Sequence, residues 1–290
     1  MDYKSLNTRF RAYQLGSEGS SFSYFDGSSF TLIEARVTET NARTITAELK
    51  ACRKSSIDCL HITSWDTDHC TTKDLELIIQ KLKPTKIEFP GYAPHTDNGK
   101  ECLKIVQKHQ NSKKIDREYV SGLSNATNWN YNHLMYNNPK TYDNANDNST
   151  IKLFRTGAFT VLSLGDVEKV EIADYLLRTG DIIKNEVDIM ILAHHGADNG
   201  FTSEKFIKAV SPKVAICTSN YDNQYDHPKQ EIRDLLYENG VTLYTTKTGD
   251  VVIKTIGDNT IAYKAINLKA NSTEVSSDKD FNTKRYDKWK

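Results

Sequence analysis

The sequence of 290 residues has no excess of either charge, no cysteine-rich motif and no long apolar run. Lys plus Arg and Asp plus Glu both number 38, and the resulting net charge of zero argues against a protein that grips nucleic acid through bulk positive charge. The five cysteines are scattered without a C-x-x-C pair, which argues against a disulfide framework or a structural zinc knot. No run approaches the ~18 apolar residues of a membrane span, and the N-terminus lacks the apolar core of a signal peptide. We therefore expect a cytoplasmic protein with no membrane contact.

Ordinary proportions of hydrophobic (38%) and charged (26%) residues indicate a globular chain that can bury a sizeable core. Short strand-like runs alternate with amphipathic helical runs, such as the one from Thr72 to Leu82. The strands fall into two sets, each flanked by helices, which predicts an α/β fold: a four-layer αββα sandwich. We assign residues 1–267 to this domain and residues 268–290 to a polar C-terminal tail.

The segment 121–148 is unlike the rest of the domain, because it is rich in Asn and Tyr and has few aliphatic residues. A loop of this length inside a compact domain is usually functional or disordered. We interpret it as a lid-like insertion over the site, with a surface insertion as the alternative. Its aromatic residues are candidates for stacking on bases; they are Trp129, Tyr131, Tyr136 and Tyr142. The Lys, Arg and Trp of the C-terminal tail are a candidate contact for a protein partner, and a merely solvated tail is the alternative.

The densest group of metal-binding side chains follows an apolar strand that ends near residue 63. Asp66, Asp68 and His69 place two carboxylates and an imidazole within four residues. Carboxylate oxygen and imidazole nitrogen suit Zn, Mn or Fe without any thiolate. The alternative is a polar loop whose aspartates cap a helix that begins near Thr72.

Three later segments carry the same kinds of side chain. Asp166 follows an apolar strand and Gly165, either as a ligand or as the cap of the next helix. The pair His194 and His195 ends another apolar strand, which favours a ligand or acid–base role. His227 precedes Pro228 and a predicted helix, as a cap or as a ligand.

The order of these segments resembles the metallo-β-lactamase superfamily, and most closely the soluble hydrolase domain attached to the DNA-uptake channel ComEC and its stand-alone relatives. The resemblance spans roughly residues 10 to 255. The matching motifs are Leu32-Ile33-Glu34, Asp66-Thr67-Asp68-His69, Asn146-Asp147-Asn148-Ser149, Gly165-Asp166, His194-His195-Gly196 and His227-Pro228. The sequence departs from the family at Ser64, where the first histidine of the His-x-Asp-x-Asp-His loop belongs.

The resemblance implies a metal-dependent hydrolase that holds one or two divalent transition metal ions, Zn or Mn, and generates a hydroxide on the metal. The implied metal ligands are Asp66, Asp68, His69, Asp166 and His227, with Asp166 bridging the two positions. Asp68 would orient the nucleophile, and His194 or His195 would stabilise a phosphoryl oxygen or protonate the leaving group. Because Ser64 is a poorer ligand than imidazole, we expect one well-formed metal position and one that is weakened or empty.

The substrate class that the resemblance implies is nucleic acid or a nucleotide, so the expected activity is that of a phosphodiesterase or nuclease. The candidate substrate contacts are Asn148, Trp129 and Ser64. Two alternatives stay open at this point. Ser64 also fits a degenerate binding or regulatory subunit with little turnover, and the same metal chemistry would serve a lactone, ester or thioester.

Overall fold

Two β-sheets pack face to face, and helices cover the outer face of each sheet in the computed structural model. The structure describes residues 7–125, 133–136, 141–179, 181–220, 224–257 and 261–287. The predicted four-layer αββα sandwich is therefore confirmed.

The first sheet contains nine strands within the described residues. They are β1 (Arg9–Ala12), β2 (Phe22–Phe25), β3 (Phe30–Ile33), β4 (Cys59–His61), β5 (Lys86–Pro90), β6 (Ser112–Ile115), β13 (Val251–Thr255), β14 (Ala262–Leu268) and β15 (Val275–Asn282). Their order is β15-β14-β13-β1-β2-β3-β4-β5-β6. The strands from β3 to β6 run parallel, and the others pair antiparallel.

The second sheet has six described strands in the order β12-β11-β10-β9-β8-β7. They are β7 (His133–Tyr136), β8 (Ile151–Phe154), β9 (Val161–Ser163), β10 (Ile189–Ile191), β11 (Val214–Cys217) and β12 (Thr242–Thr245). The strands from β9 to β12 run parallel, while β7 and β8 form an antiparallel edge. Parallel strands bring their carboxyl ends to one edge of the sheet.

The helices divide between the two outer faces. Those that pack on the first sheet are α1 (Glu39–Ala51), α2 (Thr72–Leu77), which continues as a π-helical turn over Ile78–Leu82, and α3 (Asp97–Gln107). Those on the second sheet are α5 (Val170–Thr179), α6 (Asp181–Glu186), α7 (Glu204–Val210) and α8 (Gln230–Glu238). The remaining helices are α4 (Arg117–Asn125) and the short α9 (Lys284–Asp287).

Strand alternation separates the core into three apolar layers. Leu32 packs against the helices of the first sheet, while its neighbour Ile33 faces the second sheet. Leu162 and Val161 divide in the same way between the helices of the second sheet and the inter-sheet layer. Successive side chains of a strand point to opposite faces, so both sheets bury both of their faces.

Part of the predicted insertion belongs to the second sheet. β7 pairs antiparallel with β8 and forms the edge of that sheet, and α4 precedes it. Trp129, together with Tyr131, lies outside the described residues. Tyr142 packs against the core under α5, and its ring lies 5.6 Å from Lys169 Nζ. The lid stays a prediction from the sequence.

The polar segment after residue 267 is not a free tail over its described length. β15 pairs along its length with β14 and forms the edge of the first sheet. Arg285 bonds Glu186 at 2.9 Å and the carbonyl oxygen of Arg155 at 2.7 Å. The segment is polar because β15 is an exposed edge strand, and charged side chains are usual on such edges. A protein partner for this segment stays a prediction.

Within the described residues, no helix combines the length and the apolar character that crossing a bilayer requires. All five cysteines are buried and unpaired, as the absence of a disulfide pattern predicted.

Candidate metal centre

Loops that follow four buried strands meet at one edge of the sandwich. The loop after β4 carries Asp68 and His69, while the loops after β9 and β10 carry Asp166 and His195. The loop after β11 carries His227. Because β9, β10 and β11 are parallel neighbours, their carboxyl ends lie side by side, and the two sheets place the β4 loop opposite them.

Four side chains from these loops converge on one point. Asp68, His69, Asp166 and His195 each contribute one ligand atom, and all four atoms lie within 4.8 Å of one another. His69 Nε2 lies 2.6 Å from Asp166 Oδ2, and His195 Nε2 lies 3.2 Å from Asp68 Oδ2. Two imidazole nitrogens and two carboxylate oxygens form a donor set that suits Zn²⁺ or Mn²⁺.

The electrostatics of the cluster favour positive charge at its centre. Burial opposes a charge on His69, but Asp166, Asp68 and Glu34 outweigh it and raise the pKa of that imidazole well above 6.5. Burial also opposes a charge on His195, and there the Asp68 and Asp166 carboxylates raise the pKa. Burial tends to raise the pKa of Asp68, but the two imidazoles outweigh it and lower that pKa. Carboxylates that favour positive charge on two imidazoles would equally favour a divalent cation, which would take the place of the imidazole protons.

A buried carboxylate behind the cluster fixes the orientation of His69. Glu34 is 1% exposed, and its Oε1 lies 3.3 Å from His69 Nδ1. The same carboxylate accepts hydrogen bonds from the Thr63 hydroxyl at 2.6 Å and from the Thr63 amide at 3.0 Å. Glu34 has a left-handed backbone, with φ of 68°. His69 Nδ1 faces Glu34 and is also hydrogen-bonded to the Thr63 hydroxyl at 3.3 Å, so Nε2 points into the cluster, which is how metal-binding imidazoles are usually oriented.

His195 is fixed in a comparable way, through its backbone and through Thr218. His195 Nδ1 lies 3.0 Å from Thr218 Oγ1, which leaves Nε2 facing Asp68. His194 and His195 both have positive φ, 43° and 54°, and Gly196 follows at 81°. Non-glycine residues in this region are strained, and such strain collects at functional sites.

The helices α2 and α5, which follow the two acidic segments, are not capped by the aspartates of the cluster. Thr71 caps α2, because its hydroxyl accepts the Asp74 amide at 3.2 Å. Asp147 accepts the amides of Glu168 and Lys169 ahead of α5, both at 2.9 Å. Neither cap involves a carboxylate of the cluster, so Asp68 and Asp166 remain available as ligands.

Ser64 stands where the sequence resemblance predicts a histidine, and hydrogen bonds fix its side chain. Ser64 is fully buried, and its hydroxyl bonds Asp66 Oδ2 at 3.1 Å and the Tyr92 hydroxyl at 3.0 Å. The Tyr92 hydroxyl also accepts the Trp65 amide at 3.1 Å. Asp66 borders the cavity but does not join the four-residue cluster. Ser64 is not among the described residues that line the cavity, and its role as a substrate contact stays a prediction. No pattern in the sequence indicated that Tyr92 contributes to the site.

The histidines differ from their predicted places in one respect. His195, predicted as an acid–base group, belongs to the cluster, whereas His227, predicted as a ligand, does not. The ring of His227 lies 6.4 Å from that of His195 and nearly parallel to it. Burial, together with His195 and His194, lowers the pKa of His227 to about 4, so it is neutral at pH 7. His194 borders the cavity, with Nδ1 2.7 Å from Glu168 Oε1.

Among the polar residues of the Asn-rich motif, Asn146 rather than Asn148 borders the cavity. The Asn148 amide accepts the Tyr142 amide N–H at 2.8 Å and donates to the Tyr142 carbonyl oxygen at 2.8 Å. Asn148 is buried and its amide fixes the turn before β8, while its role as a substrate contact stays a prediction. Asn146 donates to Glu168 at 2.8 Å.

The cluster opens into a cavity of about 480 Å³. Its described lining includes four carboxylates but neither lysine nor arginine. The carboxylates belong to Glu18, Asp66, Asp68 and Asp166. The described lining also includes Thr218, Ser219, Asn220 and Tyr225.

We expect Glu34→Gln to weaken metal affinity by about 10- to 100-fold, because the amide holds His69 Nδ1 less firmly than the carboxylate does. Competition with a coloured chelator measures this affinity. The control is Glu39→Gln, an exposed glutamate in the first turn of α1, which should leave the affinity unchanged. Equal affinities of the wild type and Glu34→Gln would contradict the role given to Glu34.

Comparison with known proteins agrees with this architecture. The chain is 25% identical over 193 residues to ComE operon protein 3 of Bacillus subtilis (strain 168), which covers 66% of this chain and 23% of that protein. It is 29% identical over 110 residues to competence protein ComA of Neisseria gonorrhoeae, which covers 37% of this chain and 16% of that protein. The chain thus spans less than a quarter of the length of either curated relative. No protein-family model matches it.

Solved structures show the same fold. Igni18, a metallo hydrolase from the archaeon Ignicoccus hospitalis KIN4/I, superposes with a TM-score of 0.52 at 12% identity, covering 85% of this chain and 98% of that one. A CmlA beta-hydroxylase superposes with a TM-score of 0.50 at 12% identity, covering 86% of this chain and 54% of that one. The chain has the metallo-β-lactamase fold, and its relatives are of the ComEC type.

Proposed function

We propose that this protein is a metal-dependent hydrolase and that it cleaves phosphodiester bonds in nucleotides or short nucleic acid. The observation that carries the proposal is the convergence of Asp68, His69, Asp166 and His195, from three separate parts of the chain, beside an open cavity. Buried carboxylates and imidazoles so close together are costly unless they are paired or bind a cation.

The cluster supports one well-formed metal position. Asp68, His69, Asp166 and His195 would hold the ion, which when bound lowers the pKa of a water ligand and polarises a phosphoryl oxygen. The predicted ligands that remain for a second ion are His227 and Asp66. The Asp66 carboxylate instead accepts the hydroxyl of Ser64, which Tyr92 also engages. This hydrogen-bonded group favours a single ion over a pair.

The chain supplies separate residues for positioning and for proton transfer. Asp68 lies at the cavity floor, where its carboxylate can orient an attacking water. His194 lines the cavity, with Nδ1 2.7 Å from Glu168 Oε1, a position from which an imidazole can donate a proton to the leaving oxygen. Because His195 belongs to the cluster, we assign the proton-donor role to His194.

The substrate assignment rests on resemblance and on the cavity. One relative is named as a competence protein, and the resemblance to the hydrolase domain of a DNA-uptake channel implies nucleic acid or nucleotides. A cavity of about 480 Å³ whose described wall has four carboxylates and no lysine or arginine favours a small substrate with few negative charges over long duplex.

The replacement at Ser64 supports a second candidate, a binding or regulatory subunit with little turnover. Metal analysis of the purified protein, followed by assays of bis(p-nitrophenyl) phosphate, a lactone and a thioester, separates the candidates. We expect about one transition metal ion per chain and preferential cleavage of the phosphodiester. Bound metal with no turnover of any of the three would support the regulatory subunit. Preferred cleavage of the lactone or thioester would overturn the phosphodiester assignment.

A further inference from the structure

Tyr225 lines the cavity and is exposed to solvent. Its ring is the outermost in a row of three aromatic rings that leads through His227 to His195 of the cluster. The Tyr225 ring lies 5.7 Å from the His227 ring, at an interplanar angle of 25°. The His227 ring lies 6.4 Å from that of His195, at 12°. Each ring thus lies within 25° of parallel to its neighbour, and His195 at the inner end belongs to the cluster.

The outer ring of this row is open to solvent on a well-anchored turn. Tyr225 is 59% exposed, although it borders the cavity and one face of its ring packs on His227. The amide of Lys229 donates to the carbonyl oxygen of Gly196 at 3.0 Å, which ties the turn to the loop of His195. Arg233 holds Asp226 at 3.3 Å on the other side. A tyrosine with one covered face and one open face is a stacking surface for a planar ring.

The charge of the cavity lining also favours a ligand that binds through an uncharged planar ring. The described lining contains no lysine or arginine to bind a chain of phosphates, and Glu18 adds a negative charge. Affinity for a substrate must then come from the cluster and from uncharged contacts. Stacking on Tyr225 provides such a contact, and Ser219 and Asn220 provide polar groups on the same wall.

We propose that Tyr225 forms a binding subsite for the nucleobase next to the scissile phosphodiester, and that it makes the protein select substrates that carry a base. This inference rests on the proposed function and names its substrate class more closely. Tyr225 lies outside the segment 121–148, where the sequence analysis had placed the aromatic residues that could stack on bases.

Binding of thymidine 5′-monophosphate and of 2-deoxyribose 5-phosphate to the metal-loaded protein tests the subsite without any turnover. We expect the base to improve affinity by about 5- to 150-fold in the wild type, the range of base–aromatic stacking. Tyr225→Phe should keep this preference and Tyr225→Ala should lose it. The control Tyr237→Ala, which changes a tyrosine that is 85% exposed on α8, should keep it. Equal affinity of the wild type for both ligands, or an unchanged preference in Tyr225→Ala, would overturn the subsite.

Kinetics then distinguish failure of the subsite from failure of the proposed function. The substrates are thymidine 5′-(p-nitrophenyl phosphate) and methyl p-nitrophenyl phosphate, which differ in the nucleoside. We expect Tyr225→Ala to lower kcat/KM for the first by about tenfold and to leave the second unchanged. If the wild type cleaves both equally and Tyr225→Ala changes neither, the subsite fails and the phosphodiesterase stands. If the wild type cleaves neither, the proposed activity fails, and the binding comparison alone decides the subsite.

Discussion

Replacing Asp166 with alanine is expected to abolish tight metal binding and to lower phosphodiester hydrolysis by about 10³-fold or more. Asp166 is 4% exposed, and its carboxylate contacts His69 at 2.6 Å and lies 3.9 Å from His195. Its loss removes one of the two carboxylates among the four ligand atoms, and with it the 2.6 Å partner of His69. Loss of a bound ion removes about 4 kcal/mol or more of transition-state stabilisation, which corresponds to about 10³-fold in rate.

Isothermal titration with Zn²⁺ and hydrolysis of bis(p-nitrophenyl) phosphate measure the two effects. Asp97→Ala is the matched control, because Asp97 is an exposed aspartate at the start of α3 and should change neither quantity. Circular dichroism shows whether Asp166→Ala remains folded, and Asp166→Asn repeats the test with a side chain of the same shape. Normal metal affinity in a folded Asp166→Asn protein would refute the assignment of Asp166 as a ligand.

The second large effect is on stability. Glu88→Ala is expected to lower the free energy of unfolding by about 3–5 kcal/mol, because it leaves a lysine buried without its charged partner. Glu88 on β5 is fully buried and pairs at 2.7 Å with Lys152 on β8, which is 1% exposed. His61 Nδ1 and the Tyr119 hydroxyl lie at 3.0 and 2.9 Å from the same carboxylate. The ion pair thus joins the two sheets inside the sandwich.

Urea unfolding of Glu88→Ala and Glu101→Ala separates this buried pair from a surface pair. Glu101 on α3 forms an exposed ion pair with Lys104, so its removal should cost no more than about 1 kcal/mol. The double variant Glu88→Leu/Lys152→Met should recover much of the loss, since it removes both charges. Similar destabilisation by Glu88→Ala and Glu101→Ala would contradict the role of the buried pair.

The Glu88–Lys152 pair also makes the free energy of unfolding depend on pH. Burial alone would raise the pKa of Glu88, but Lys152 and His61 outweigh it and hold that pKa well below 4.5. A carboxyl whose folded pKa is lowered stabilises the fold fully above its unfolded pKa, and this contribution disappears as the pH falls through the folded value. The advantage of the wild type over Glu88→Gln should therefore be constant above about pH 5 and shrink below about pH 4.

The sequence predicted the layers and the loops of the site because both follow from local patterns. Apolar runs predicted the strands, and Asp68, His69, Asp166 and His195 were all identified as candidates because they directly follow such runs. His227 was the predicted ligand and His195 the predicted acid–base residue, whereas the cluster found among the described residues contains His195; the ligand role of His227 stays a prediction. The loop that carries His195 has a left-handed backbone at His194 and His195, which a sequence pattern does not encode.

Other features were missed because their signal is tertiary. Tyr92 follows β5 as an isolated aromatic residue, and only the fold brings its hydroxyl to Ser64. β15 was missed because an exposed edge strand has no apolar face. Tyr225 was overlooked because nothing in the sequence distinguishes a stacking ring from any other tyrosine in a polar loop.

The most direct test of the metal centre is anomalous diffraction from a crystal soaked in Zn²⁺ or Mn²⁺. We expect one strong peak bonded to the ligand atoms of Asp68, His69, Asp166 and His195, at about 2.0–2.2 Å from each in the zinc case. No second strong peak is expected between Ser64 and Asp66. A crystal whose strongest peak lies away from those four side chains, or that shows no ordered metal at all, would contradict the account.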